Sequence, residues 1–99
     1  MGLAKKKKGA SGLWYLYVLQ CSDNTLYTGI TNDLGRRIKQ HNNGTASRYT
    51  RSRLPVTLAY QERCRGRSNA LKKEYAMKQL SREEKGKYIR RTLKTLYSR

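Results

Sequence analysis

Acidic side chains are scarce in this chain. Asp and Glu together number 6 in 99 residues, against 23 Lys and Arg, for a formal net charge of +17. A two-metal phosphodiester-cleaving centre needs several carboxylates to hold both ions, so this composition argues against one. Cysteine is confined to Cys21 and Cys64. Two are too few for a disulfide scaffold or a Cys-rich zinc site, and a reducing, cytoplasmic setting is expected. Long apolar runs are missing as well: 36% of residues are hydrophobic, and none of the runs approaches the ~20 residues of a membrane span. The start, MGLAKKKKGASG, has a basic stretch with no apolar stretch behind it, which argues against a secretory signal. No membrane partner is expected. Internal repeats and linkers are lacking, and the length fits one domain.

What is abundant is positive charge, and a polyanion is the partner it favours. Each phosphate neutralised on a nucleic acid releases counterions and drives binding. Residues 1–12 read as a disordered basic tail carrying Lys5 to Lys8. The remaining 13–99, the expected single domain, is still strongly basic.

Leu13 to Leu19 is a continuous apolar and aromatic run that predicts a strand buried on both faces. Cys21-Ser22-Asp23-Asn24 is turn chemistry, and Thr25 to Ile30 reads as the returning strand. A helical period then begins, with Thr31 or Asn32 as cap and Asp33 in the first turn. Leu34, Ile38 and His41 share one face of that helix, with Arg37 four residues before His41. Asn42-Asn43-Gly44 stops it. Thr45 to Pro55 reads as a loop, Val56 to Tyr60 as a third strand, and Ser68 as the cap of a helix running to about Leu80. Ser81-Arg82-Glu83-Glu84 is a capping box opening a last helix. The expected class is α/β (α+β), in the order β-β-α-β-α-α.

Five of the six acids have plain structural roles: Asp23 in a turn, Asp33, Glu83 and Glu84 in first turns, Glu62 at or beyond a strand end. Glu74 differs. It falls mid-helix within the arc of Ala70 and Met77, where a carboxylate needs a partner. A metal ion and an ordinary i,i+4 pair with Lys78 both satisfy that requirement. Arg48, Tyr49, Arg51 and Arg53 form a basic loop with one aromatic ring, suited to phosphate contacts and base stacking. Arg36 adds to this expected nucleic-acid-binding set.

Tyr15-Leu16-Tyr17 followed by Tyr27-Thr28-Gly29 resembles the paired motif of the GIY-YIG nucleases. Arg37, ten residues after Tyr27, then His41 and a lone helical Glu74 continue the pattern. Trp14 to Leu19, Leu26 to Thr31 and Tyr49 to Val56 are very like the short, single-domain, uncharacterised bacterial members. The resemblance covers about residues 13–90. It implies a small domain with a three-stranded antiparallel sheet flanked by helices, and a metal-dependent phosphodiester-cleaving centre. The expected function is an endonuclease acting on DNA, with structured or damaged DNA among its substrates because nothing in the chain looks like a sequence-reading module. By position the resemblance implies catalytic roles for Tyr17 (a base or base-assisting phenol), Tyr27 (orienting water), Arg37 (binding the scissile phosphate) and His41 (proton transfer). It implies that Glu74 holds one divalent cation, Mg²⁺ or Mn²⁺. Two departures stand out: Tyr15 replaces the first motif's Gly, and Lys85-Gly86-Lys87 lies where some members place an Asn. The alternative is a catalytically weak or inactive nucleic-acid-binding module for DNA or RNA, with DNA placed ahead of RNA. Without the resemblance, Tyr17 and Tyr27 also read as core tyrosines, Arg37 as helix surface, and His41 as a complement to the helix dipole.

Overall fold

A computed structural model describes residues 12–97; apart from Gly12, the stretch read as a basic tail lies outside them. Three strands form one sheet: β1 (Leu13–Gln20), β2 (Leu26–Thr31) and β3 (Thr57–Arg65). Strand β1 is central, antiparallel to both neighbours, in the order β2-β1-β3. The helices are α1 (Leu34–Asn42), the one-turn α2 (Arg48–Arg51), α3 (Arg67–Lys78) and α4 (Arg82–Tyr97). Setting α2 aside, the order is β-β-α-β-α-α, and the fold is α+β. Among the described residues, no helix is long and apolar enough to cross a membrane.

The apolar run of β1 is buried on both faces, as a central strand covered on two sides requires. Side chains alternate along it and divide the interior in two. Leu16 and Val18 join Tyr60, Cys64, Ala70 and Met77, with Trp14, Leu80, Tyr88 and Ile89 packed against them. Tyr17 and Leu19 join Cys21 and Val56 on the other side, with Tyr27, Leu34, Ile38, Tyr49 and Leu54 against them.

Local details depart from the sequence expectations. The cap of α1 is Asp33, whose carboxylate accepts from the Arg36 backbone N–H. Thr31 serves instead as acceptor for the Asp33 N–H, at 3.1 Å. Gly66, not Ser68, precedes α3. The expected loop contains α2, capped by Ser47. Strand β3 runs five residues past Tyr60, because backbone pairing with β1 carries its polar end. Gly44 turns the chain out of α1 at φ +78, a conformation that favours glycine.

Glu62 therefore lies within β3, not at its end, and it is a structural knot. Its Oε1 accepts from the Tyr60 hydroxyl at 2.9 Å and the Tyr88 hydroxyl at 3.0 Å, and Lys73 pairs with Oε2. Burial alone would raise its carboxyl; Lys73 and the two phenols outweigh burial and hold it below the ordinary carboxylate range. Folded-state lowering means this stabilisation is present at neutral pH and fades as pH falls below that range. Glu62→Ala strands two phenol hydroxyls, and we expect a loss of about 1–3 kcal/mol in urea unfolding.

Candidate active site

The side of β1 that carries Tyr17 also carries the candidate site apart from Glu74, whose helix α3 packs through Ala70 and Met77 on the Leu16 and Val18 side. Tyr17 lies opposite Gly29 in the β1–β2 register. A Cβ at Gly29 would lie 2.6 Å from the Tyr17 hydroxyl oxygen and 2.7 Å from Cζ. The glycine thus leaves the room into which the phenol lies across the neighbouring strand. From there the Tyr17 hydroxyl reaches Nε2 of His41, on α1, at 2.8 Å. Nδ1 of His41 lies 2.8 Å from Oγ1 of Thr50, on α2. Thr50 Oγ1 in turn lies 2.9 Å from Ser47 Oγ, which also accepts from the Thr50 backbone N–H. Tyr17, His41 and Thr50 each have 0% exposure.

Tyr27, on β2, is only half-buried. Its ring meets the edge of His41 at a 5.1 Å centroid distance and stands 6.5 Å from Tyr17. Its other neighbour is Tyr49, stacked at 6.0 Å. The Arg53 guanidinium lies 3.8 Å over the Tyr49 ring and is tied to Asp23 Oδ2 and the Tyr49 carbonyl. Tyr49 and Arg53 thus engage each other and brace Tyr27, so the Tyr49 ring is not left open as a stacking platform. Arg36, Arg48 and Arg51 are exposed. Arg36 pairs with Asp33 at 3.5 Å, while Arg48 and Arg51 line an open notch of about 440 Å³ with Ser47 and Gly44 to Ala46.

Arg37 is half-buried, and its Nη1 donates to Gln40 Oε1 at 3.0 Å. Its Nε is buried and has no hydrogen-bond partner among the described residues. Glu74 comes from α3 and is half-buried, its carboxylate 3.3 Å from Lys78 Nζ. The i,i+4 pair expected from the spacing is formed. The carboxylate is nonetheless close enough for its charge to act on the Tyr17 phenol.

The electrostatics follow from burial first. Burial raises the Tyr17 phenol above its ordinary value; the Arg37 guanidinium opposes this, and the Tyr27 and Glu74 charges add to it. Burial, then the Arg37 charge, pushes His41 down to about 4. His41 is therefore neutral at physiological pH, one ring nitrogen a donor and the other an acceptor. The unfolded imidazole, near 6.5, takes up a proton before the folded one does. Stability thus falls as pH drops from about 6.5 toward about 4. Chemical unfolding across that window should show a shallower decline in His41→Gln than in the parent.

The donor chemistry fits one hydrated hard cation. Among the described residues there is no cluster of three or more His, Cys, Asp or Glu, so a closed protein cage is not available. A lone carboxylate such as Glu74 can hold Mg²⁺ that keeps most of its waters. The unpartnered Nε of Arg37 suits an oxyanion. Sequence reasoning missed Thr50, Ser47 and the role of Gly29 as a bed for Tyr17. The Ser47-x-x-Thr50 cap spacing was the available signal, but it looks like ordinary helix capping.

Comparison with known proteins bears on the family and the fold. The family model described as the GIY-YIG catalytic domain matches residues 13–88. A UPF0213 protein of Desulfotalea psychrophila is 59% identical over 69 residues, spanning 69% of this chain but only 63% of that relative's own length. A UPF0213 protein of Bacillus velezensis is 45% identical over 86 residues, covering 84% of this chain and 87% of the relative. Among solved structures, the solution NMR structure of an Enterococcus protein (E. faecalis) is similar at a TM-score of 0.58 and 39% identity, covering 88% of each chain. That of a UPF0213 protein from Bacillus halodurans is similar at 0.52 and 39%, covering 78% of this chain and 82% of that one.

Proposed function

This chain belongs to the GIY-YIG family, a family of nucleases, and on that premise we propose that it is an endonuclease that hydrolyses DNA phosphodiesters with the help of one divalent cation. The observation that carries the reading is the convergence of Tyr17, Tyr27, Arg37 and His41 from three elements, with the Glu74 charge felt at Tyr17. A set of core tyrosines would not need a half-buried arginine with an unpartnered Nε beside it.

The half-buried groups face the substrate in this reading. Arg37 binds the scissile phosphate and offsets the charge that develops on its oxygens, usually the largest catalytic contribution. Tyr27 orients the attacking water. Tyr17 and His41 are the buried floor, where a proton is held and passed on. Glu74 would hold Mg²⁺ or Mn²⁺; when bound, such an ion supplies further positive charge to the phosphate. Arg36, Arg48 and Arg51 supply exposed backbone contacts outside the floor. DNA is the proposed polymer, structured or damaged forms included.

The test is incubation of the protein with single-stranded, duplex and branched DNA, with and without Mg²⁺ or Mn²⁺. Cleavage should require the cation and fall by about 10²-fold or more in Tyr17→Phe. Cleavage that survives both Tyr17→Phe and Glu74→Ala would sink this site. A nucleic-acid-binding module without turnover is the second reading, favoured by one observation: Glu74 is already paired with Lys78. It predicts salt-sensitive binding, weakened by Arg51→Ala and indifferent to Glu74→Ala, with no cation-dependent cut.

A further inference from the structure

Tyr17 is closed off from solvent, yet a phenol that works as a base must lose its proton to somewhere. Among the described residues the acceptor within reach of its hydroxyl is His41 Nε2, at 2.8 Å; the Arg37 guanidinium beside it has donors only. This settles the resting tautomer. With Tyr17 O–H donating to Nε2, the ring hydrogen sits on Nδ1 and donates to Thr50 Oγ1, whose own O–H has Ser47 Oγ at 2.9 Å and the Ser47 carbonyl at 3.5 Å within reach. The opposite tautomer would leave the phenol hydrogen buried with no acceptor, which is costly. The chain of bonds does not end in the interior. Ser47 is half-buried and lines the open notch that Arg48 and Arg51 flank.

We propose that Thr50 and Ser47 continue the Tyr17–His41 pair as a proton relay from the buried phenol to solvent in the notch. When the relay operates, the Tyr17 O–H bond breaks as Nε2–H forms. The Nδ1–H bond breaks as a new Thr50 O–H forms, and the former Thr50 hydroxyl proton passes to Ser47 Oγ. The former Ser47 proton leaves to water. One proton departs, a phenolate remains beside the Arg37 cation, and His41 ends neutral in its other tautomer. A hydroxyl at position 50 both gives and takes a proton, so Thr50 can serve each tautomer in turn. Arg48 and Arg51 disfavour a lingering proton at the exit. The other groups acting on the pair are the Tyr27 phenol from β2, backed in turn by Tyr49 from α2, and the Glu74 charge from α3. Thr50 and Ser47 are positioning residues. The use of the relay in turnover rests on the cleavage reading above, but its existence does not.

The test is NMR on the full chain with ¹⁵N-labelled histidine. The parent should show the Nδ1–H tautomer of His41. Thr50→Val should leave that tautomer, which the Tyr17 hydroxyl fixes, in place and slow exchange of the buried ring and phenol protons with water by about tenfold or more. Thr50→Ser, which keeps the hydroxyl, should restore parent-like exchange. Ser47→Ala, at the outer end, should slow exchange while leaving the tautomer in place, and it supplies the test should Thr50→Val fail to fold. Under the cleavage reading, Thr50→Val also lowers kcat by about 10²-fold with little change in KM, as loss of a proton-transfer partner does. Parent-like exchange in Thr50→Val or in Ser47→Ala would overturn the relay. An intact relay in a protein that cuts no DNA would instead overturn the proposed activity.

Discussion

Gly29→Ala should abolish most cleavage, by about 10²–10³-fold, in a protein that still folds. The methyl group would stand 2.6 Å from the Tyr17 hydroxyl and 2.7 Å from Cζ, so the phenol has to swing away from β2. Overpacking of this kind costs about 1–3 kcal/mol of stability, which a folded domain of this size can survive. The swing, however, breaks the 2.8 Å contact with His41 Nε2 and so removes the first link of the proton path. The check is kcat together with urea unfolding of the same variant. A second check combines Gly29→Ala with Tyr17→Phe: the two act through one ring, so their effects on kcat should not add. Additive losses, or full activity in Gly29→Ala, would show that the phenol does not matter where it lies.

The second large effect is expected at Arg37. Arg37→Ala should lower kcat by about 10²–10³-fold, the magnitude of losing one preorganised donor to a developing oxyanion. Arg37→Lys should recover little. Its ammonium has no counterpart to the buried Nε that stands without a partner, and a point charge does not reproduce the planar fork. A second readout separates this role from simple phosphate attraction. The Arg37 charge depresses both Tyr17 and His41, so its removal should send both titrations upward in NMR. Unmoved titrations with reduced DNA affinity would assign Arg37 to binding alone.

Much of this architecture could be read from residues 13–42. The run Leu13 to Leu19 carries its own strand signal, because a central strand is buried on both faces and needs no alternation. The Leu34, Ile38, His41 spacing carries α1 for the opposite reason, since one face is buried and the period shows. Strand β3 was only half legible. Gln61 to Arg65 is polar apart from the buried Cys64, and what mainly holds it in the sheet is hydrogen bonding to β1, which leaves no mark on composition. Helix α2 has four residues, too few for a period. Thr50 escaped notice because a threonine two side chains from a tyrosine in space lies 33 positions from it in the chain, and a hydroxyl has many bland uses. Glu74 stood out by elimination, yet its partner Lys78 was equally legible.

The division of the interior by β1 has a practical consequence. The chain has one tryptophan, and Trp14 packs in the compartment with Leu16, Val18 and Met77, under the Arg67 guanidinium at 5.6 Å. Tyr17 and His41 lie on the opposite side of the sheet. Indole fluorescence therefore watches the α3 and α4 layer and is blind, to first order, to rearrangement at the phenol–imidazole pair. Variants at positions 29, 37 and 50 should keep the parent emission maximum while their chemistry changes, and a variant at Glu62 should shift it. The molecule carries its own optical control for telling a disabled site from a disturbed fold.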